Sequence, residues 1–210
     1  MDKQKTKFAA IDLTKIAIFT ALMVVGAFIK IPFPAVPLTF QTVFCILAGL
    51  MLGWKKGSIA MLIYLVMGII GIPVFTAGGG VAYVVKPSFG YIIGFILGAL
   101  VAGLVRGKIE KISIYRYLLA SLAGVVANYV IGIIYFIIVW RVNNYPELGS
   151  AIVSYNLIYI PKDLILCAIA AVAAWKVTPM VARIGLGKNN EEKRKLIASE
   201  DNKDDSNINI

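Results

Sequence analysis

The stretch Ile160-Pro-Lys-Asp-Leu-Ile165 places a charged pair at the start of an apolar run that continues to Val177. Asp163 is the only carboxylate within a long hydrophobic segment of this chain. An ionised carboxylate in the middle of a membrane-spanning helix costs about 2.5–3.5 kcal/mol, so such a residue faces a cavity or a partner. Pro161 suits the first turn of a helix, and the helix dipole there favours a negative charge. The pattern predicts a helix start at which Asp163 and Lys162 either contact a ligand or pair at the lipid interface.

The composition is that of a membrane protein. Hydrophobic residues make up 60 % of the 210 positions, whereas soluble domains lie nearer one half. The chain has no histidine, which excludes histidine metal sites, histidine proton relays and Ser-His-Asp catalysis. Cys45 and Cys167 both fall within apolar runs, so we expect small buried residues rather than a disulfide framework or a zinc site. We therefore predict no metal site and no cofactor.

Apolar segments separated by charged, proline-rich or glycine-rich connections predict an all-α membrane protein, a bundle of six transmembrane helices. The approximate spans are residues 14–29, 39–52, 58–70, 89–105, 117–140 and 157–177, with a polar loop over 141–155. The predicted domains are an N-terminal lead-in of residues 1–13, a substrate-binding domain of residues 14–187 and a disordered tail of residues 188–210. The tail is polar and lacks apolar periodicity.

The distribution of basic residues sets the orientation. Seventeen of the 21 Lys and Arg residues lie in the N-terminal segment, the connections after spans two and four, and the C-terminal end. The positive-inside rule therefore places both termini in the cytoplasm of a multi-pass cell-membrane protein. The net charge of +10 then reflects topology, with the lipid bilayer as partner. Nucleic-acid binding is disfavoured because the tail has six acidic against five basic residues and no interleaved aromatic side chain.

Two connections on the external side interrupt the apolar body. Residues 30–37 contain three prolines within six positions, which cannot continue a helix. Residues 73–88 contain Gly78, Gly79 and Gly80, which let a backbone approach a ligand closely, although flexible connectors have the same composition. A phosphate-binding loop is excluded because no Gly-Lys-Ser/Thr follows at the required spacing.

The polar residues of the spans collect on the same external side. Gln41 starts span two, Tyr91 starts span four and Asp163 starts span six. We predict a small external cavity, covered by the two loops, that captures a partly polar and partly aliphatic solute. Asn128 lies well inside span five and must face the bundle, because lipid would leave its amide unsatisfied. A helix–helix hydrogen bond and a ligand contact are both open for it.

Small residues mark two helix faces. Ala17 and Ala21 are four apart on span one, so they allow another helix to approach closely, either within the bundle or from a partner. Gly90, Gly94 and Gly98 repeat every four residues on span four, which predicts a face for close helix packing.

An ordered series of motifs resembles the BioY family, the biotin-binding S components of energy-coupling factor (ECF) transporters. The resemblance covers about residues 14–180 and implies six helices, capture of biotin from outside and no ATPase activity. In that family a coupling transmembrane protein with two ABC-type ATPases powers transport. The motifs are Ile31-Pro-Phe-Pro-Ala-Val-Pro-Leu-Thr-Phe-Gln-Thr-Val-Phe44, Leu47-Ala-Gly-Leu-Met-Leu-Gly53, Gly71-Ile-Pro-Val-Phe75, Phe89-Gly-Tyr-Ile-Ile-Gly-Phe95 and Ile160-Pro-Lys-Asp-Leu-Ile165.

The resemblance also implies roles for individual residues. Ala17 and Ala21 match the family's Ala-x-x-x-Ala that docks the coupling protein, which favours docking over internal packing. For biotin, Asp163 would accept the ureido N–H groups, and Gln41 or Asn128 would serve the ureido carbonyl or the carboxylate.

The remaining contacts predicted for biotin involve its rings and its carboxylate. The bicycle and the valeryl chain would be bordered by Tyr91 and by the glycines Gly78, Gly79 and Gly80. The carboxylate needs a cation, and the candidates are Lys162 and Lys86.

Other functions remain compatible with the sequence. One alternative is that the same scaffold binds a different small vitamin. Another is that the chain is a self-contained secondary permease. A permease would normally show inverted repeats or several intramembrane charges, and neither is clear here. An enzyme is disfavoured because Asp163 has no paired acid or base residue in the spans.

Overall fold

The structure, a computed structural model, describes residues 10–31, 38–107 and 113–178. Two two-residue strands, β1 (Lys30–Ile31) and β2 (Leu38–Thr39), pair antiparallel. The chain divides into Met1–Ala174 and Trp175–Ile210, and the contacts below all lie in the first unit. Of the second unit only residues 175–178 are described, as the end of a helix. The helices are α1 (Ala10–Phe28), α2 (Gln41–Leu52), α3 (Trp54–Ile69), α4 (Phe89–Arg106), α5 (Ile114–Val142), α6 (Leu148–Tyr155) and α7 (residues 160–178).

The helical membrane fold predicted from the sequence is confirmed at the level of its apolar helices. In the described part of the chain, α1, α4, α5 and the segment Leu148–Thr178 are long and apolar enough to cross a membrane. Helix α2 is a shorter apolar helix of 12 residues, and α3 has 16 residues. The count of six spans stays a prediction, and the predicted tail lies outside the described residues.

Three helices begin earlier than predicted, and one of them is α5, which starts at Ile114. Helix α1 starts at Ala10, within the segment predicted as a lead-in, and α3 starts at Trp54 directly after Gly53. Gly53 has a φ of 83° and ends α2 while its backbone N–H bonds Gly49. Glycine adopts this left-handed conformation without strain, so one residue is enough to separate two helices.

The prediction of a polar loop over residues 141–155 is wrong at its second half, because α6 lies there. Asn144 and Glu147 have φ of 52° and 50°, so the first part of the segment does form a tight turn. Beyond the turn, Ala151 is buried while Val153 is exposed. A one-sided apolar pattern of this kind stabilises a short helix against the bundle.

Helix α4 occupies the centre of the packing. It contacts α2, α3 and α5, and its contact with α5 is the largest among helices α1 to α6. A β-carbon added to Gly90 or Gly94 would lie 2.3 Å from a side-chain atom of Tyr135 or Asn128, respectively. The predicted close-packing face of this helix is therefore confirmed, with α5 as the neighbour.

Helix α7 is held against α5 by a buried hydrogen bond. Ser121 Oγ donates a hydrogen bond of 2.9 Å to the backbone oxygen of Cys167. Cys45 and Cys167 are both buried free thiols, as predicted. Since α7 begins at residue 160, Pro161 and Asp163 fall in its first turn, which is also as predicted.

Candidate functional site

A cavity of about 370 Å³ lies at the end of the bundle where α2, α4 and α7 begin. Side chains from β1 and β2, from the loop between α3 and α4, and from α2, α4, α5, α6 and α7 line it. Its volume is in the range of small-molecule binding sites. Both external connections predicted to cover a solute therefore contribute to one cavity.

Six of the nine residues predicted to contact a ligand are brought together in this cavity. Gly78, Gly79 and Gly80 are not among its lining residues, and the two predicted docking alanines are also elsewhere. The six lining residues are Gln41, Lys86, Tyr91, Asn128, Lys162 and Asp163.

Asp163 is the charged centre of the cavity and is only 5 % exposed. Tyr129 Oη donates a 2.7 Å hydrogen bond to its Oδ2, and Lys162 Nζ lies 2.7 Å from its Oδ1. Lys162 Nζ also donates to the backbone oxygen of Thr39 at 2.8 Å. The Lys162 contact is an ion pair without a well-directed hydrogen bond, so Oδ1 still has acceptor capacity. The carboxylate is thus charge-compensated and able to accept an N–H from a ligand.

Asn128 supplies a second polar group deep in the cavity. It is 2 % exposed, and its Oδ1 has no hydrogen-bond partner among the described residues. Helix α4 makes room for the amide at Gly94, where a β-carbon would come within 2.3 Å of Oδ1. A buried polar atom without a partner costs about 1–3 kcal/mol. The ligand-contact interpretation of Asn128 therefore gains support over the helix–helix hydrogen bond.

Hydrogen bonds orient Gln41 and Tyr91 at the cavity wall. Gln41 Nε2 donates to Tyr64 Oη at 2.7 Å, and Tyr64 Oη donates to the backbone oxygen of Val74 at 3.0 Å. Tyr91 Oη donates to Asn156 Oδ1. The bond to Tyr64 uses one of the two N–H groups of the Gln41 amide and fixes the orientation of this side chain at the wall.

Aromatic side chains form much of the wall, and the sequence analysis missed most of them. Tyr91 and Tyr129 meet edge to face with ring centroids 5.6 Å apart. Tyr129 follows Asn128 in an apolar span. This pair of neighbouring polar groups was the one sequence feature that could have identified Tyr129 as a lining residue. The aromatic lining residues that were not predicted are Tyr83, Phe95, Tyr129, Phe136, Tyr155 and Tyr159.

Three of the described lysines line the cavity, and two of them, Lys30 and Lys86, are exposed. Lys30, also missed by the sequence analysis, donates to the backbone oxygen of Thr76 at 3.4 Å. Lys86 Nζ lies 4.4 Å from the ring centroid of Tyr83, a cation–π distance. Burial raises the pKa of the Tyr83 phenol above its ordinary value, so this ring stays neutral. With three lysines and one carboxylate among its described lining residues, the cavity favours an anionic ligand.

The glycine run shapes the loop that covers the cavity. Gly80 has a φ of 99°, and its backbone N–H donates to the oxygen of Gly68 in α3 at 2.7 Å. A β-carbon on Gly79 would lie 2.3 Å from the oxygen of Ile72. These glycines fold the loop onto α3, and the neighbouring Thr76 faces the cavity. Direct contact of the glycines with a ligand stays a prediction.

Ala17 and Ala21 lie on the exposed face of α1. The opposite face turns inward, where Thr20 Oγ1 donates to the backbone oxygen of Ala60 in α3 at 3.1 Å. The two alanines therefore do not pack against the described part of the bundle and are available to another helix.

Three comparisons with known proteins point to the same protein family. A model of the BioY family matches residues 1–183. The chain is 39 % identical over 165 residues to the probable biotin transporter BioY of Pyrococcus horikoshii, covering 78 % of this chain and 93 % of that one. It is 40 % identical over 168 residues to the biotin transporter BioY of Thermotoga maritima, with 79 % and 95 % covered. A crystal structure of the S-component for biotin from an ECF-type ABC transporter matches 84 % of this chain and 94 % of that chain, with a TM-score of 0.67 and 29 % identity.

Tyr129→Phe is expected to lower the free energy of unfolding by about 1.5–3 kcal/mol, because it removes a buried hydrogen bond to a charged carboxylate. Tyr115→Phe is the matched control, since Tyr115 is 79 % exposed and should change stability by less than about 0.5 kcal/mol. Unfolding of the ligand-free protein in detergent measures both variants. Equal stability of the two would contradict the bond between Tyr129 and Asp163.

Proposed function

The chain belongs to the BioY family, and from this premise we propose that it captures biotin as the S component of an ATP-driven vitamin-uptake transporter. It is a multi-pass protein of the cell membrane. The observation that carries the proposal is the set of groups that line one cavity: a compensated buried carboxylate, an aromatic wall and two exposed lysines. Biotin has the complementary groups, namely a ureido ring with two N–H donors, an aliphatic bicycle and chain, and a terminal carboxylate.

The ureido ring binds at the buried end of the cavity. Asp163 Oδ1 lacks a directed hydrogen bond and accepts a ureido N–H, while Tyr129 and Lys162 hold the carboxylate in place. Asn128 and the amide of Gln41 offer further polar contacts to the ring. A site built to bond N–H groups rejects analogues that lack them, because its polar groups are then left unpaired.

The aromatic wall suits the rest of the ligand. Tyr91 and Tyr129 present an edge-to-face pair against which an aliphatic bicycle packs with large apolar contact. The chain of biotin then extends toward the loops, where its carboxylate meets basic residues rather than lipid. Binding, not catalysis, is the role of this cavity.

Energy for uptake comes from partners. We propose that α1, α2, α3, α4, α5 and α7 are six spans with both termini in the cytoplasm, and that α6 lies at the external surface. The exposed Ala17 and Ala21 on α1 then form a smooth face for the coupling transmembrane protein, which carries two ABC-type ATPases. Small residues on a lipid-facing helix permit the close approach that helix association needs in a membrane.

Purified protein without partners is expected to bind labelled biotin saturably in detergent. Excess unlabelled biotin should displace the label, and thiamine or riboflavin at the same excess should not. Absence of saturable biotin binding by a folded sample that binds another labelled vitamin would assign the cavity to that vitamin. Biotin uptake into proteoliposomes that contain no ATPase would instead identify a secondary permease.

Asp163→Asn is expected to weaken biotin binding about 10- to 100-fold, because the ureido N–H then meets a neutral amide instead of a charged acceptor. The measurement is equilibrium binding in detergent, with thermal unfolding as a check that the variant is folded. Glu147→Gln makes the same chemical change at an exposed position outside the cavity and should leave affinity unchanged. Unchanged affinity of a folded Asp163→Asn variant would move the site elsewhere.

Ala17→Leu is expected to abolish co-purification with the coupling protein and its ATPases while sparing biotin binding, because the larger side chain blocks close helix approach. Ala168→Leu on the exposed face of α7 is the matched control and should still co-purify. Loss of biotin binding together with association would mean that Ala17→Leu disturbs the bundle itself.

A further inference from the structure

The three lysines of the cavity are not equivalent. Lys162 already has two acceptors, since its Nζ lies 2.7 Å from Asp163 Oδ1 and donates to Thr39 at 2.8 Å. Its charge is compensated by Asp163. A ligand carboxylate placed against Lys162 would therefore also lie close to Asp163, and two negative charges at short range repel. Lys162 is poorly suited to bind the anionic end of the ligand.

Among the described residues, Lys30 and Lys86 have no acidic partner. Within residues 10–31, 38–107 and 113–178, the ion pairs are Lys56 with Asp12 and Lys162 with Asp163, so neither of these two lysines has an acidic partner. Both are exposed and both line the cavity. Asp163, in contrast, is buried. The cavity thus combines a buried, paired carboxylate with two exposed lysines that have no acidic partner among the described residues.

The two lysines belong to different covering segments. Lys30 lies in β1, and Lys86 lies in the loop between α3 and α4, where its ammonium rests over the Tyr83 ring. In the described part of the chain, a weak contact already joins the two segments, namely the 3.4 Å hydrogen bond from Lys30 Nζ to the Thr76 backbone oxygen. A charge-assisted bond to a carboxylate is typically about 2.7–2.9 Å long and stronger than a bond to a neutral carbonyl. A carboxylate that accepts from Lys30 Nζ at this position would therefore replace the weak hydrogen bond to the Thr76 backbone oxygen by a stronger, charge-assisted one.

We propose that Lys30 and Lys86 bind the carboxylate of the substrate together, and that this carboxylate draws the β1 segment and the α3–α4 loop together over the cavity. The inference rests on the proposed function, because it assumes that biotin lies with its ureido ring at Asp163. In this arrangement the two lysines determine specificity for the free acid. The substrate itself supplies the anion that closes its own site.

The first test compares biotin with biotinamide, a neutral analogue of nearly the same shape, by equilibrium binding to the purified protein. Wild type should prefer biotin by about tenfold or more, as expected for loss of a charged contact. Lys30→Gln and Lys86→Gln should each weaken biotin binding about five- to tenfold and change biotinamide binding less than about twofold. The double variant should bind both ligands equally. Lys55→Gln, at a lysine that lies over Trp54 outside the cavity, should retain the full preference.

The second test measures closure directly. Ile31→Cys and Val85→Cys place spin labels at positions that are 54 % and 67 % exposed, one on each covering segment, whereas native Cys45 and Cys167 are buried and should not react. Pulsed electron–electron resonance should show a narrower inter-label distance distribution with biotin than with biotinamide. Equal narrowing by both ligands, or none by either, would overturn the role of the carboxylate in closure.

The outcomes separate this inference from the proposed function. Wild type that binds neither ligand would refute biotin capture and the lysine pair with it. Wild type that binds biotin and biotinamide with equal affinity would keep biotin capture and overturn the lysine pair. A loss of affinity for both ligands alike in Lys30→Gln and Lys86→Gln would assign these lysines a structural role only and also overturn it.

Discussion

A negative charge buried at the start of α7 must be compensated, and this requirement organises the end of the molecule that contains the cavity. Asp163 is held by Tyr129 from α5 and by Lys162, which in turn bonds Thr39 in β2. One carboxylate therefore connects three elements that are far apart in sequence. Breaking a buried ion pair on one side commonly costs several kcal/mol, so the same contacts that prepare the site also stabilise the fold around it.

Much of the fold could be predicted from the sequence because its long helices are continuous apolar segments bounded by charged residues or glycine. Helices α4 and α5 lie within a few residues of the predicted spans. Helix α6 was missed because it has only eight residues. An apolar pattern of this length, directly after the turn at Asn144 and Glu147, does not distinguish a helix from a loop. The glycine face of α4 was predictable, but its neighbour, α5, was not, since periodicity does not say which helices meet.

The candidate site could be predicted to the extent that its residues are rare in their surroundings. Asp163, Gln41 and Asn128 are polar residues at or within apolar helices. A polar side chain there is costly unless it bonds a ligand or another part of the protein, so such residues are functional candidates. Tyr155 and Lys30 carried no such signal, because aromatic residues fill cores as often as cavities and a lysine at a helix end resembles an interfacial anchor. Their role emerges only when the tertiary structure brings them to the same cavity as Asp163.

The central claim is that biotin lies in this cavity in one orientation, and an experimental structure of the biotin complex tests it most directly. The account predicts a ureido nitrogen about 2.7–3.2 Å from an oxygen of Asp163. It also predicts that the biotin carboxylate lies at the exposed end, between the segments that carry Lys30 and Lys86. Biotin bound in the reverse orientation, with its carboxylate toward Lys162 and its ureido ring at the loops, would contradict the account, as would biotin bound outside the cavity.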